Sequence, residues 1–194
     1  MKRGIGLLCI LLTLLSGCNS AVETAPKASP QVTAAVSKPQ PPPEKQTGII
    51  PAMIEIPAIG VKADIEKVGL LPDGSMGAPK GSKAVAWYEQ GTKPGERGNA
   101  VMAGHVDDTV NPAVFFDLNK LKKDDTIYVT DQNGRRLTFV VRDIQVYPRQ
   151  DAPLDQIFGY TYQNMLNLIT CEGKYDPKTT ERAERLVVFS ELVQ

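Results

Sequence analysis

"TIYVTDQNGRRLTFVVRDIQVY", residues 126–147, holds two runs rich in β-branched and aromatic residues on either side of Asn133-Gly134. Asn-Gly between two such runs is the strongest short-range hairpin signal, so strands at 126–130 and 137–147 are predicted to be adjacent and antiparallel. Working outward, the chain from Ile49 onward repeats this pattern: short β-branched runs at 52–57, 61–68, 84–88, 99–104, 166–170 and 185–192, each bounded by Gly, Pro, Asn or Asp. Eight strands at this spacing predict an all-β domain, a small closed barrel whose interior is filled by side chains, with short helices and loops. One short helix is expected within "NPAVFFDLNKL", 111–121, because Pro112 suits a first helical position and Phe115, Leu118 and Asn119 recur at helical spacing.

The first 48 residues have a different character. "GIGLLCILLTLL", behind Lys2 and Arg3, has the charged start and short apolar run of an export signal. It is well short of the roughly 20 apolar residues of a membrane-spanning helix. "LSGC", ending at Cys18, resembles the lipobox of bacterial lipoproteins, in which the cysteine is diacylated and becomes the mature N-terminus; an ordinary cleaved signal that ends near a cysteine is the alternative. Two acyl chains are enough for stable membrane attachment, where one holds only marginally. Residues 19–48, rich in proline and small residues and without hydrophobic periodicity, read as an extended tether. The expected organisation is therefore a signal peptide at 1–17, a lipid-anchored Cys18 with a proline-rich tether to residue 48, and a folded domain at 49–194.

Composition narrows the chemistry. With 22 basic and 22 acidic residues the formal net charge is zero, and nothing suggests nucleic acid or a basic membrane-binding patch. The chain has three cysteines and one histidine. With Cys9 removed in the signal and Cys18 acylated, Cys171 is the one remaining thiol, so no intramolecular disulfide is expected. One histidine and one thiol fall short of the usual zinc ligand sets, so neither a metal nor another cofactor is expected.

Three side chains are candidates for function. Cys171 ends the apolar run "LNLIT", and the polar stretch "EGKYDPKTT" after it reads as an exposed loop, which would place the thiol on a rigid strand end. Free cysteine is otherwise most often a small buried hydrophobe. His105 ends the run "NAVMAG", with Gly104 before it permitting close backbone packing; a surface or hydrogen-bonded structural role is the plainer reading, and proton transfer the functional one. Arg185 opens "RLVVFSEL", where strand alternation sets Arg185, Val187 and Phe189 on one face and Leu186 and Val188 on the other. A charge on an apolar face belongs at a barrel mouth, facing a polar cleft or water. Arg182, three residues earlier, could fill the same part.

Together these residues carry a resemblance to the sortases, the cysteine transpeptidases of Gram-positive cell envelopes, over roughly Ile49 to Gln194. "LITC" resembles the family's TLxTC motif, with Asn167 in place of the first threonine and Thr170 retained beside the cysteine. "AGHVDD" with "PAVFFDLNKLKKDD", and "GLLPDGSMGAPKGSKAVAWY" with "KPGERGNAV", resemble segments of class F members, and "RLVVF" resembles the strand that carries the family's arginine. The resemblance implies an eight-stranded sortase-type β-barrel and cleavage of an LPxTG-like sorting signal between Thr and Gly. Cys171 would be the nucleophile that forms an acyl-thioester, His105 the general acid and base, and Arg185 the hydrogen-bond donor to substrate or oxyanion. It implies as partners surface proteins with a sorting signal and an amine acceptor on peptidoglycan or another protein. The lipidated Cys18 would hold the enzyme, as a monomer, on the extracellular face of the cell membrane. A lipid-anchored peptide-binding module with a degenerate barrel, and a sortase-like peptide hydrolase, are the alternatives. The chain ends within two residues of its last expected strand, which leaves no room for the C-terminal membrane helix of some pilus-building members.

Overall fold

The computed structural model describes residues 47–108 and 110–193. The expected signal peptide at 1–17, the lipidation site Cys18 and the tether as far as residue 46 lie outside the described residues. Eight strands are present among the described residues: β1 (Pro51–Ile56), β2 (Val61–Val68), β3 (Val85–Tyr88), β4 (Gly98–Ala103), β5 (Thr126–Asp131), β6 (Arg136–Pro148), β7 (Asn164–Asp176) and β8 (Glu181–Val193). They close into one barrel in the order β1-β2-β3-β4-β7-β8-β6-β5, with β5 returning to pair with β1. The β2–β3 and β4–β7 pairs are parallel and the others antiparallel.

The period-2 pattern explains the closure. In β1, Ile54 and Ile56 point into the barrel and are fully buried. Glu55 points outward, pairing with Lys62 at 2.8 Å and with Arg136 at 2.9 Å. Val129, Phe139, Val141, Leu166, Leu168, Leu186 and Val188 join the two isoleucines in a single interior cluster. Each side chain of this size contributes about 1.5–3 kcal/mol on burial, so the alternation fixes which face of every strand looks inward. The β5–β6 hairpin forms as the sequence predicts, with Thr126 opposite Val140 and Thr130 opposite Arg136. Of the Asn-Gly pair, only Gly134 takes a left-handed conformation (φ 83°). The turn is held by Asp131, whose carboxylate accepts from the amides of Asn133 and Arg135, both at 2.9 Å.

Two sequence expectations need correction. No helix begins at Pro112: that residue forms a bridge with Asp107, and the helical geometry of 111–121 shrinks to one 3-10 turn at Leu118–Lys120. Phe115 and Leu118, both fully buried, are drawn into the barrel core, and their burial sets the local path. Second, Cys171 does not end its strand. β7 continues to Asp176 and pairs with β8 as a ribbon, so the expected loop after the cysteine shortens to a turn at 177–180. A short helix that sequence reading did not place, α1 (Leu154–Phe158), lies between β6 and β7.

Candidate active site

The pairing of β4, β7 and β8 aligns the candidate residues. β4 runs parallel to β7 with Val101 opposite Asn167 and Ala103 opposite Ile169. The ladder continues past the end of β4 through Gly104 N–H, which donates to the carbonyl of Ile169 at 3.0 Å. Extending the same register by two residues past the last pair, Ala103 and Ile169, aligns His105 with Cys171. On the other side of β7, Cys171 is directly opposite Arg185 in the antiparallel β7–β8 ladder. Arg185 is in turn opposite Tyr147 of β6. His105, Cys171, Arg185 and Tyr147 therefore form one row across four neighbouring chain segments.

Alternation places this row on the outer face of the barrel. Leu166, Leu168, Leu186 and Val188 belong to the interior cluster, whereas Val187 and Phe189 pack with Ile157, Tyr147, Phe158, Met165 and Ile169 in a second, outer cluster. Arg185 thus shares a face with Val187 and Phe189, as the sequence alternation predicts. Burial pushes the Tyr147 hydroxyl above its ordinary pKa, with the Asp143 carboxylate adding to the rise, so the ring stays neutral beside Arg185.

Local packing fixes His105. A Cβ at Gly104 would come within 2.5 Å of Phe115 Cδ2 and 2.8 Å of Val114 Cγ1, and Phe115 is fully buried. Only glycine lets the backbone lie this close to the core just before the histidine. The Thr170 hydroxyl donates to the Gly104 carbonyl at 2.9 Å, so the residue beside the thiol fastens the residue beside the imidazole. The imidazole Nε2 is 3.0 Å from the carbonyl of Pro79, which it meets as an N–H donor. Beyond His105, the amides of Val110 and Asn111 donate to Asp108 Oδ1 at 2.8 and 2.7 Å and hold its carboxyl below the usual carboxylate range. Gly104→Ala is expected to destabilise the fold by about 1–3 kcal/mol through overpacking, read as a lowered urea midpoint with an unchanged slope.

The two arginines are placed differently. Arg185 uses Nη1 to donate to the backbone carbonyls of Arg182 (3.0 Å) and Glu184 (2.9 Å); its Nη2 and Nε donate to no acceptor among the described residues. Arg182 donates from Nη1 to the Gly173 carbonyl at 2.7 Å and from Nη2 to Asp107 Oδ2, with which it forms an ion pair. A groove of about 310 Å³ reaches the thiol, bordered by Val106, Asp107, Phe116, Lys120, Cys171 and Arg182. Neither His105 nor Arg185 borders that groove: Arg185 lies opposite Cys171 in the β7–β8 ladder, and His105 follows two residues after the last β4–β7 pair. Cys171 is half-buried and is the free cysteine among the described residues. No group of three or more potential metal ligands occurs among them.

Sequence reading missed how the outer face is roofed. Asn167, fully buried where the TLxTC motif has threonine, donates from Nδ2 to the Ile157 carbonyl at 2.8 Å. Asn99, on β4, donates to the carbonyls of Gln156 (3.1 Å) and Gly159 (2.8 Å). These amides satisfy carbonyls at the C-terminal end of α1, which would otherwise be unpaired against the sheet. They hold α1 over the strands two turns of the pleat before Cys171. A buried polar residue inside an apolar strand was the available signal, but its partner is not visible in sequence.

Comparison with known proteins agrees with the barrel fold. The family model described as the Sortase domain matches residues 54–193. Among solved structures, the chain is 27% identical to sortase C-1 from Actinomyces oris, with a TM-score of 0.59 and coverage of 74% of this chain and 71% of that one. Sortase C from Clostridium perfringens SM101 is 26% identical at a TM-score of 0.55, covering 74% and 70%. Sortase A from Corynebacterium diphtheriae shares the fold at 24% identity and a TM-score of 0.59, with 77% of this chain and 62% of that chain covered. No curated protein matches the chain.

Proposed function

This chain belongs to the sortase family, and from that premise we propose that it is a cysteine transpeptidase that cleaves an LPxTG-like sorting signal between Thr and Gly. The observation that carries the proposal is the row of His105, Cys171 and Arg185 on one outer face of three adjacent segments. A nucleophile, a proton-transfer group and a hydrogen-bond donor to the oxyanion together suit acyl transfer through a thioester.

The Cys171 thiolate attacks the threonine carbonyl carbon, and negative charge moves to the carbonyl oxygen. Arg185, with two guanidinium nitrogens uncommitted, donates to that oxygen or to a neighbouring substrate carbonyl. The tetrahedral centre collapses, the C–N bond breaks, and protonated His105 gives its proton to the departing glycine amine. The acyl group is now a thioester on Cys171. An incoming amine attacks it, neutral His105 takes the amine proton, and the new amide leaves Cys171 as thiolate. Thr170 supports the pair by tying the β7 strand to Gly104.

Class F membership is part of the same proposal; it rests on the His105 segment and the N-terminal half of the domain. So do diacylation of Cys18 and residence on the outer face of the cell membrane, which rest on "LSGC" and the tether that follows. The test is to incubate the full-length protein in detergent with a library of LPxTG-like peptides, with and without glycine or lysine amines. Product masses corresponding to acyl transfer onto the amine are expected. Hydrolysed peptide alone, with amine present in excess, would replace transpeptidation by hydrolysis; unaltered peptides throughout would leave only a peptide-binding role.

A further inference from the structure

Arg182 makes contact with the segments of all three proposed catalytic residues and contributes to none of the steps above. Its Nη2 reaches Asp107, two residues after His105. Its Nη1 reaches the carbonyl of Gly173, two residues after Cys171, at 2.7 Å. Its own backbone carbonyl accepts from Arg185 Nη1 at 3.0 Å. We propose that Arg182 is a positioning residue: a latch that fixes the His105 segment, the Cys171 strand and the Arg185 side chain relative to one another. The inference rests on the transpeptidase reading for its catalytic meaning, but the latch itself is a matter of geometry.

Three features make the latch effective. First, the anchor points are constrained. Asp107 is bridged to Pro112, and Gly173 sits at a β-bulge where Glu172 pairs with Glu184 and Tyr175 with Arg182. Gly173 has φ 80°, and a Cβ there would come within 2.5 Å of Glu184 Oε2, so the bulge is built around glycine. Second, the ion pair is partly shielded, with the Arg182 side chain 25% and the Asp107 side chain 36% exposed. A charge-assisted bond in that setting is stronger than a neutral one. Third, a planar guanidinium addresses a carboxylate and a carbonyl at once in fixed directions, which a lysine ammonium does not reproduce.

The same contacts separate the two arginines. Two of the five N–H groups of Arg182 are committed to Gly173 and Asp107 and its Nε is buried without a partner, so its fork is already held by protein acceptors. Arg185 keeps Nη2 and Nε uncommitted. Within this proposal the holding part falls to Arg182 and the donor part to Arg185.

Full-length wild type, Arg182→Lys, Asp107→Asn and the double variant are to be compared in two assays, with thermal melts confirming that each is folded. The first is peptide cleavage. Each single change is expected to lower kcat about tenfold with KM nearly unchanged, and the double variant is expected to be no worse than either single one. The second needs no turnover: the rate at which iodoacetamide labels the Cys171 peptide, followed by mass spectrometry, is expected to change about threefold in each variant as the segments around the thiol lose their fixed spacing. Asp107→Asn is nearly isosteric and guards against a result caused by misfolding. A raised KM at constant kcat would make Arg182 a substrate contact and overturn the latch, as would additive losses or unchanged labelling. If wild type cleaves no peptide while the labelling effects appear together and do not add, the latch stands and the transpeptidase reading fails.

Discussion

Cys171→Ala is expected to abolish thioester formation and transpeptidation, leaving no turnover above the uncatalysed rate, while the barrel remains folded. The two halves of this result have separate causes. Activity is lost because the acyl group has no other attachment point: Cys171 is the free cysteine among the described residues, and it stands in the row with His105 and Arg185. The fold survives because the side chain is only half-buried and points to the outer face where β7 leaves the barrel. Truncation there removes one sulfur from a partly wet surface and opens no cavity in the interior cluster, so a stability loss below about 1 kcal/mol is expected. Circular dichroism and a urea titration check the second half, and peptide cleavage monitored by mass the first.

His105→Ala carries the second-largest expected effect, a fall of about 10²–10⁴-fold in kcat, the usual contribution of a positioned acid or base. Both half-reactions require a proton transfer, at the departing glycine amine and at the attacking one, so acylation and aminolysis should both slow. The imidazole is also held to the Pro79 carbonyl at 3.0 Å, and its loss releases the 77–80 connection locally. That contact is a single hydrogen bond, worth about 1 kcal/mol, so the melting temperature should fall only slightly. Single-turnover cleavage with wild type and variant separates this from unfolding: a slow acylation step in a protein with a near-normal melt is the expected result.

The parts of this molecule that were legible in sequence are those encoded by neighbouring residues. The β5–β6 hairpin could be read because Asn133-Gly134 and the flanking alternation lie within one short window. β2 was readable because Ala63, Ile65 and the charged residues between them alternate. The shared face of Arg185, Val187 and Phe189 followed from period-2 geometry alone. Cys171 lies on the expected strand, but the polar "EGKYD" continues that strand where the sequence predicts a loop. In an antiparallel ribbon, backbone groups are satisfied by the partner strand, so polar side chains can continue a strand after it has left the core. The five residues of α1 are too few to show helical periodicity.

Long-range polar contacts were invisible for a different reason. Asn167 stands where the TLxTC motif has threonine, and its partner Ile157 lies in an element the sequence does not reveal. Asn99 finds its carbonyls 57 and 60 residues away. Arg182 could stand in for Arg185 on sequence spacing; only the closing of the barrel brings Asp107, 75 residues away, onto its guanidinium. Hydrogen-bond partners that depend on tertiary closure leave no periodic trace in the chain.

The central claim is that acyl transfer passes through a thioester on Cys171. Intact-mass spectrometry of the full-length protein, quenched in acid during turnover of a cleaved LPxTG-like peptide, tests it most directly. A protein species heavier by the acyl fragment up to threonine, mapped to the Cys171 peptide, removed by hydroxylamine and missing from Cys171→Ala, is the expected result. Cleavage that proceeds in Cys171→Ala, or an adduct mapped to another residue, would contradict it.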